Sequence, residues 1–208
     1  EKPASELLKS EQNEKGNLVA EGNIKKEKDL SPIGEKQKYI ELPLGWEWVK
    51  LGDVAYSQAG FAFKSSGFNE TGMGLPLIRI RDVGQTFTGT YFDGEYRDEF
   101  VVREGDYLIS MDGEFRVSKW LNGKALLNQR VSRLIFLGSE TAKRFVVEAL
   151  QTKLRGLQGK KSYTTVDHLS GGQISNSVIA LPPLNEQHRI VAKVDELLAL
   201  CDQLEAQH

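Results

Sequence analysis

Several short stretches in the middle and at the end of the chain have the patterns of β-strands. Apolar and polar residues alternate over residues 75–83, and the stretches 106–110, 131–137 and 177–181 are short and rich in apolar residues, as in further strands. Glycines recur between residues 60 and 124, so we expect many loops between these strands. The pattern therefore predicts a mixed and irregular sheet.

A helical pattern follows the strand at 131–137. Apolar residues there recur at the spacing of one helix face, with Ser139 as a suitable N-cap and Gly156 as the expected end. The residues of this face are Ala142, Phe145, Val146, Ala149 and Leu150. The pattern predicts an amphipathic helix between residues 139 and 156.

The C-terminal segment carries the clearest periodicity. After Pro183, with Asn185 as the expected N-cap, apolar residues alternate between four- and three-residue spacings, which is the a/d pattern of a coiled coil. This seam consists of Ile190, Val194, Leu197, Cys201 and Leu204. We expect a long helix whose seam contacts either a partner helix or the chain's own domain. On such a seam, Cys201 is expected to be a small buried hydrophobic residue.

The first 40 residues are polar and differ from the rest of the chain. Their weak helical spacing is interrupted by Gly16 and Gly22, and a charged run at 25–29 leads to Pro32, as in a linker. The sequence predicts three parts: a polar N-terminal segment and linker at 1–40, a domain at 41–183, and a helix at 184–208.

The composition fits one domain with an appendage. The chain has 208 residues, of which 39% are hydrophobic and 27% charged. The single cysteine excludes a disulfide framework and a cysteine-based zinc site. No apolar run approaches the roughly 20 residues of a membrane span, and Glu1 opens a sequence that has no initiator Met and no apolar signal region. We therefore predict an intracellular, metal-free piece of a longer protein.

Charge is distributed unevenly along the chain. The net charge is −2, yet residues 116–163 contain eleven basic and two acidic residues, a net +9, while residues 82–114 contain two basic and nine acidic residues, a net −7. A one-sided basic stretch is typical of a polyanion-binding surface. The alternative is that these cations lie on several solvated faces and pair in part with the acidic stretch.

Motifs for catalysis and for cofactor binding fail on spacing. The glycines that flank 157–158 are three residues apart, whereas a phosphate-binding P-loop needs five. Asp112-Gly113-Glu114 places two acids beside the basic stretch, but no lysine follows at the spacing of a metal-dependent nuclease. Pro182-Pro183 lacks the flanking Asp or Asn and the aromatic residue of an adenine methyltransferase. The sequence therefore supports an enzyme weakly, and we predict no cofactor.

Three stretches of the chain carry motifs of one known family. They are LPLGWEWVKLGDV at 42–54, GDYLIS with LNQRV at 105–110 and 127–131, and LPPLNEQHRIVAKV at 181–194. These stretches resemble a target recognition domain, and its junction into a helix, in the specificity (S) subunit of type I restriction–modification enzymes. The resemblance covers residues 40–208. Such subunits usually carry two recognition domains and two long helices, so this chain resembles a half-subunit or a truncated one.

The resemblance implies a fold and a function. The fold is α/β (α+β), an irregular mixed-sheet DNA-recognition domain followed by a long C-terminal coiled-coil helix. The function is to read one half of a bipartite double-stranded DNA target in the cytoplasm, without chemistry of its own. In this family the helices also dock modification subunits, which bind S-adenosylmethionine and methylate adenine, and restriction subunits join them to cleave DNA.

Candidate DNA contacts follow from residue chemistry. Arg79 and Arg81 share one face of the predicted strand at 75–83, where a guanidinium could engage phosphate or guanine, or simply face water. Arg116, Lys119 and Trp120 lie in a glycine-flanked loop, although Trp120 could equally belong to the core. Lys160, Lys161, Ser162 and Tyr163 follow a glycine and suit a phosphate. The full candidate set is Lys64, Arg79, Arg81, Arg116, Lys119, Trp120, Gln129, Arg130, Lys160, Lys161, Ser162 and Tyr163.

Two other classes of function remain open from the sequence. One is a protein-interaction module that dimerises through its C-terminal helix without any role on DNA. The other is an enzyme, such as a fragment of a nuclease–methylase.

Overall fold

Eleven strands and four α-helices make up the described part of the chain. The computed structural model describes residues 2–138, 142–156 and 168–206. The helices are α1 (Ala4–Ala20), α2 (Lys143–Arg155), α3 (Gly171–Ser175) and α4 (Leu184–Glu205). Within these ranges no helix is both long enough and apolar enough to cross a bilayer.

A four-stranded antiparallel sheet forms one layer. Its order is β2 (Ala55–Ala59), β10 (Val131–Phe136), β7 (Tyr107–Ser110) and β8 (Val117–Lys119). The predicted strands at 106–110 and 131–137 are therefore confirmed as β7 and β10. They lie side by side, with Val131 opposite Ser110.

A second sheet has shorter strands and mixed direction. Its order is β3 (Phe68–Asn69), β5 (Tyr91–Phe92), β4 (Leu75–Ile78), β9 (Ala125–Leu127) and β6 (Val101–Val102). Only β4 and β9 run parallel within this sheet, and the other pairs are antiparallel. The predicted mixed α/β class with irregular sheets and a long C-terminal helix is confirmed.

The domain starts and finishes on one two-stranded ribbon. Strand β1 (Glu47–Lys50) pairs antiparallel with β11 (Val178–Leu181), which confirms the last predicted strand. Helix α4 begins three residues after β11, with Pro183 rather than Asn185 as its N-cap. The prediction of Asn185 was wrong because the extended Pro183 already ends the strand, and its carbonyl accepts the backbone N–H groups of Glu186 and Gln187.

The main hydrophobic core lies between the four-stranded sheet, α2 and the first turns of α1 and α4. Val146, Leu150 and Leu154 of α2 are completely buried there. The predicted end of α2 at Gly156 is confirmed. The helix begins at Lys143, after Ala142 as N-cap, and the predicted N-cap Ser139 lies outside the described residues.

The N-terminal segment packs on the domain through a continuous helix. Ala4 and Leu7 of α1 are completely buried, and Lys15 Nζ donates to the carbonyl of Gly52 at 2.8 Å. The sequence led us to expect an interruption at Gly16, and that was wrong. A Cβ added at Gly16 would meet no other atom within 4 Å, so this glycine lies on the exposed side of a continuous helix. The chain leaves the helix at Gly22, where φ is +75°. The domain boundary near residue 41 stays a prediction.

Candidate nucleic-acid interface

Three loops and one histidine meet at one end of the four-stranded sheet. The loops are 60–64, 111–116 and 128–130, and with His168 we call them the loop end. Backbone hydrogen bonds join them: Gln129 donates to Phe61 at 2.8 Å, and Met111 donates to Arg130 at 2.8 Å. Leu169, next to His168, donates to the carbonyl of Met111 at 2.7 Å. The loop end therefore brings Lys64, Arg116, Gln129 and Arg130 of the predicted set onto one part of the surface.

The backbone of the loop end is closely fitted. A Cβ at Gly60 would lie 2.1 Å from the carbonyl oxygen of Asn128, so only glycine allows these loops to approach so closely. Arg130 has a φ of +72° and is the one non-glycine residue with positive φ among the described residues. Such a conformation costs an L-amino acid about 1–2 kcal/mol. Gly60 and Arg130 are thus two positions at which the backbone of the loop end is constrained.

The Asp112-Gly113-Glu114 turn supplies the acidic groups of the loop end. The Oδ2 atom of Asp112 lies 3.5 Å from Nε of Arg130, and its Oδ1 atom lies 2.6 Å from Nδ1 of His168. Glu114 forms an ion pair with Arg116. Across the described ranges, no group of three or more His, Cys, Asp or Glu side chains is arranged to hold a metal ion. In this structure each acid of the turn is paired with an arginine.

Pairing between the basic and acidic stretches extends to the middle of the sheet. Arg133 is largely buried, and its guanidinium contacts the Asp106 carboxylate at 3.3 Å and the carbonyl of Val101 at 2.7 Å. This arginine therefore stabilises the fold. The alternative of partial pairing between the two stretches holds for Arg133, Arg116 and Arg130, of which Arg116 is half-buried and Arg130 is exposed.

Arg79 and Arg81 do not share a strand face, and that prediction was wrong. Strand β4 ends at Ile78, and residues 80–82 form a turn of 3-10 helix. The cause is Asp82, which is buried and accepts the backbone N–H of Arg79 at 2.8 Å. The Arg81 guanidinium instead lies along the following loop, where Nε donates to the hydroxyl of Thr88 at 3.0 Å.

A polar groove lies beside the loop end, between residues 82–87 and 118–122. We call it the side groove; its volume is about 630 Å³. Lys119, Gln85 and Asn122 line it, and all three are exposed. A Cβ at Gly84 would lie 3.8 Å from Cδ of Arg116, so the Arg116 side chain borders the side groove. The sequence analysis did not single out Gln85 and Asn122. The pattern that could have indicated them is an amide side chain next to a loop glycine.

Trp120 forms the wall of the side groove and belongs to the core. It is 3% exposed, its indole N–H donates to the carbonyl of Gly123 at 2.8 Å, and its ring packs edge-on against Phe87. This is the second of the two roles that the sequence left open for Trp120.

An exposed aromatic ring is the other feature that sequence reasoning missed. Phe61 is 41% exposed at the loop end, and the guanidinium of Arg97 lies 5.2 Å from its ring centre. Phe100 packs beneath the same guanidinium at 4.8 Å. The pair lies 36 residues apart in the sequence, so no local pattern indicates it.

The remaining predicted DNA contacts, Lys160, Lys161, Ser162 and Tyr163, lie outside the described residues.

The predicted seam on α4 divides into two halves. Ile190 and Val191 pack against the main core, and Val194 lines an apolar groove of about 430 Å³ between α2, β11 and α4. The distal half is exposed: Leu197 is 51% and Leu204 is 61% accessible, and Cys201 is exposed. Burial of Cys201, expected from the seam, does not occur within this chain because α4 extends past the domain.

The root of α4 is fixed to the domain by polar contacts. Gln187 is completely buried, accepts the backbone N–H of Ala142 at 2.9 Å and donates to the carbonyl of Pro182 at 2.9 Å. Trp46 Nε1 donates to Glu186 at 2.9 Å. The direction in which the distal half of α4 leaves the domain is therefore set by these contacts.

Comparison with protein families gives one match over most of the chain. Residues 43–208 match the family described as the type I restriction modification DNA specificity domain. The chain is 40% identical over 161 residues to the specificity subunit of the type I restriction enzyme EcoBI of Escherichia coli, covering 77% of this chain and 34% of that protein. It is 33% identical over 220 aligned residues to the EcoAI specificity subunit of the same organism, covering 98% and 37%.

Solved structures share the fold. An HsdS subunit from Thermoanaerobacter tengcongensis aligns with 98% of this chain and 47% of its own length, at 24% identity and a TM-score of 0.63. A chain from a structural study of complex assembly and conformational transition in the type I R-M system aligns with 97% and 48%, at 25% identity and a TM-score of 0.62. The chain spans about a third of the length of the curated relatives and about half of these structures.

Proposed function

The chain belongs to the type I restriction modification DNA specificity domain family, and on that premise we propose that it reads one half of a bipartite double-stranded DNA target. The single observation that carries the proposal is the loop end, because it gathers Arg116 from one loop and Gln129 and Arg130 from another. Arginine and glutamine side chains can pair with guanine and adenine edges in the major groove. Loops on a rigid sheet can change sequence without changing the fold, as a DNA-reading surface requires.

We place the phosphate contacts around this surface. Lys64 in the loop end and Lys119 in the side groove are both exposed. A lysine ammonium binds phosphate as a point charge and carries no base information, whereas an arginine fork is directional. Lys160 and Lys161 join this group on sequence grounds. Lysines would thus position the duplex while the arginines and amides of the loop end and side groove read it.

The chain would act as a recognition part without chemistry or a cofactor of its own. We propose that modification subunits, which methylate, dock on α4, and that restriction subunits join them in the cytoplasm. The exposed distal half of α4 supports this, because Leu197, Leu198, Leu200 and Leu204 are each about half or more accessible. Leu197 and Leu204 belong to the a/d seam, and an exposed seam of this kind is suited to a helical partner.

The same four leucines favour one alternative function. A module that dimerises through α4 without a role on DNA would also need an exposed apolar seam. It would not need arginines gathered at the loop end, so binding to DNA separates the two functions.

Selection of duplexes from a random pool tests the proposal. The full chain, alone and with its modification subunits, is incubated with random double-stranded DNA, and bound duplexes are amplified and sequenced. We expect one short motif to be enriched, with binding tighter than to scrambled duplex by about 10³-fold or more in the complex. A matched variant, Arg116→Ala with Arg130→Asn, should lose the enrichment. Absence of any enriched motif in both preparations would overturn the proposal.

A further inference from the structure

We propose that Arg130 reads a guanine of the target and that Asp112 is the positioning residue that holds its guanidinium. The inference rests on the proposed function and deepens it, because it assigns a base to one residue of the loop end. It also gives a role to the Asp112-Gly113-Glu114 turn, whose two acids fit no metal-dependent nuclease motif.

The backbone of Arg130 is held in a conformation that arginine does not favour. Its φ of +72° would cost glycine or asparagine less than it costs arginine. The conformation is imposed by its neighbours: Met111 donates to the carbonyl of Arg130, and the adjoining Val131 accepts from Gly60 at 2.9 Å and donates to Asn128 at 3.2 Å. A strained residue in a firmly held loop is typical of functional sites, where the side chain justifies the strain.

The guanidinium is oriented on one side and accessible on the other. Asp112 Oδ2 lies 3.5 Å from Nε of Arg130, and the ring of His168 lies against Nη1, with Nδ1 3.1 Å away. The same Nδ1 lies 2.6 Å from Oδ1 of Asp112, so the imidazole lies between the carboxylate and the guanidinium and contacts both. The side chain of Arg130 remains 53% exposed, which leaves the outer edge of the fork for a ligand.

The contact of Asp112 with Arg130 favours a base over a phosphate as the ligand of the guanidinium. The Asp112 carboxylate is only 19% exposed and partly neutralises the arginine, so it weakens the long-range attraction that draws a free cation to phosphate. It also restricts rotation of the fork, which benefits a directional bidentate partner most. Guanine presents two acceptors, O6 and N7, in the major groove, and the arginine fork matches them.

A chemical cycle on the DNA tests this assignment. Each guanine of the selected duplex is replaced in turn by 7-deazaguanine, which lacks the N7 acceptor. Binding of the full chain in complex with its modification subunits is measured by fluorescence anisotropy. With the wild-type protein, one position should lose about 10-fold to 100-fold in affinity. With Arg130→Asn, which suits the backbone conformation, the same replacement should have no further effect.

Asp112→Asn tests the positioning role. It keeps the size of the side chain but removes its charge, so affinity for scrambled duplex should be unchanged or slightly higher while preference for the guanine falls at least about 5-fold. For the Arg130→Asn variant, the control for loss of one positive charge is Arg103→Ala, because Arg103 is exposed and lies near the opposite end of β7. Thermal unfolding of each variant reports its fold independently.

The outcomes separate this inference from the proposed function. If wild-type protein selects a motif but Arg130→Asn retains every 7-deazaguanine effect, Arg130 does not read guanine and only this inference fails. Equal weakening on cognate and scrambled duplexes, with a salt slope reduced by about 1, would make Arg130 a phosphate contact. If the wild-type complex selects no motif, the proposed function itself fails.

Discussion

Thr88 donates both its backbone N–H and its hydroxyl to one oxygen of Asp82, at 2.8 Å and 2.7 Å. The other carboxylate oxygen accepts the backbone N–H of Arg79, and Asp82 is 1% exposed. These three bonds turn the chain immediately after Ile78. They therefore hold the whole segment that carries Arg81 and lines the side groove.

Asp82→Ala should destabilise the protein by about 1–3 kcal/mol, because it leaves donors of Arg79 and Thr88 without their acceptor in a buried position. Urea unfolding followed by circular dichroism measures this. Asp93→Ala, an exposed acid in the next loop, should change the free energy of unfolding by less than about 0.5 kcal/mol. Equal stability of the two variants would mean that Asp82 does not hold the turn.

Tyr56 gives a prediction in pH. Burial raises the pKa of its hydroxyl above the usual value of 10.0; Glu27 and Glu99 raise it further, while a hydrogen bond from the Lys25 backbone lowers it. The folded protein therefore keeps this proton at pH values where the unfolded chain loses it, and stability falls as pH rises past about 10. Unfolding free energies between about pH 8 and 11 should show a smaller decline for Tyr56→Phe than for wild type. Parallel curves would contradict this.

The distal half of α4 should be needed for association but not for folding. Leu197→Asp with Leu204→Asp should leave the unfolding transition unchanged and abolish self-association or docking of modification subunits. Each leucine that a partner buries should contribute about 1.5–3 kcal/mol to the free energy of association. Light scattering and co-purification measure these two properties. Ile190→Asp, on the half that packs against the core, should instead lower stability. Unchanged mass and retained docking in the double variant would refute a role for the exposed seam.

Lys160 and Lys161 are predicted to contact phosphates. Lys160→Ala with Lys161→Ala should weaken all duplexes alike and reduce the slope of log affinity against log salt by about 1–2. Lys25→Ala with Lys26→Ala, an adjacent pair in the N-terminal segment, should leave the slope unchanged. Arg81→Ala or Arg116→Ala should instead reduce the preference for cognate over scrambled duplex. If the lysine pair changes preference and the arginines do not, these roles are reversed.

The strands that the sequence predicts well are those whose environment is uniform. In β10, every residue is buried or half-buried, so its apolar-rich stretch alone indicates the strand. Residues 78–81 alternate between apolar and polar, but the buried carboxylate of Asp82 and its partner Thr88 end the strand there. Hydropathy does not record a side chain that caps a turn, and the prediction failed at that point.

The candidate site was only partly predictable for a related reason. Residue type identified Arg116, Gln129 and Arg130 as able to bind DNA. The pairing of Asp112 with His168 spans 56 residues, and no periodicity connects them. The exposed Phe61 and the fork of Arg97 are likewise joined only by the fold. Residue chemistry proposes the members of such a surface, whereas sheet topology decides which of them meet.

The ribbon formed by β1 and β11 has a consequence for exchange of the DNA-reading part. Glu47 lies opposite Leu181, so the chain enters and leaves the sheets at neighbouring positions, directly at the root of α4. A segment whose two junctions are hydrogen-bonded to each other can be replaced as a unit without redirecting the helix that follows. Recombination between 47 and 181 would therefore exchange the loop end and the side groove while the exposed half of α4 stays as it was.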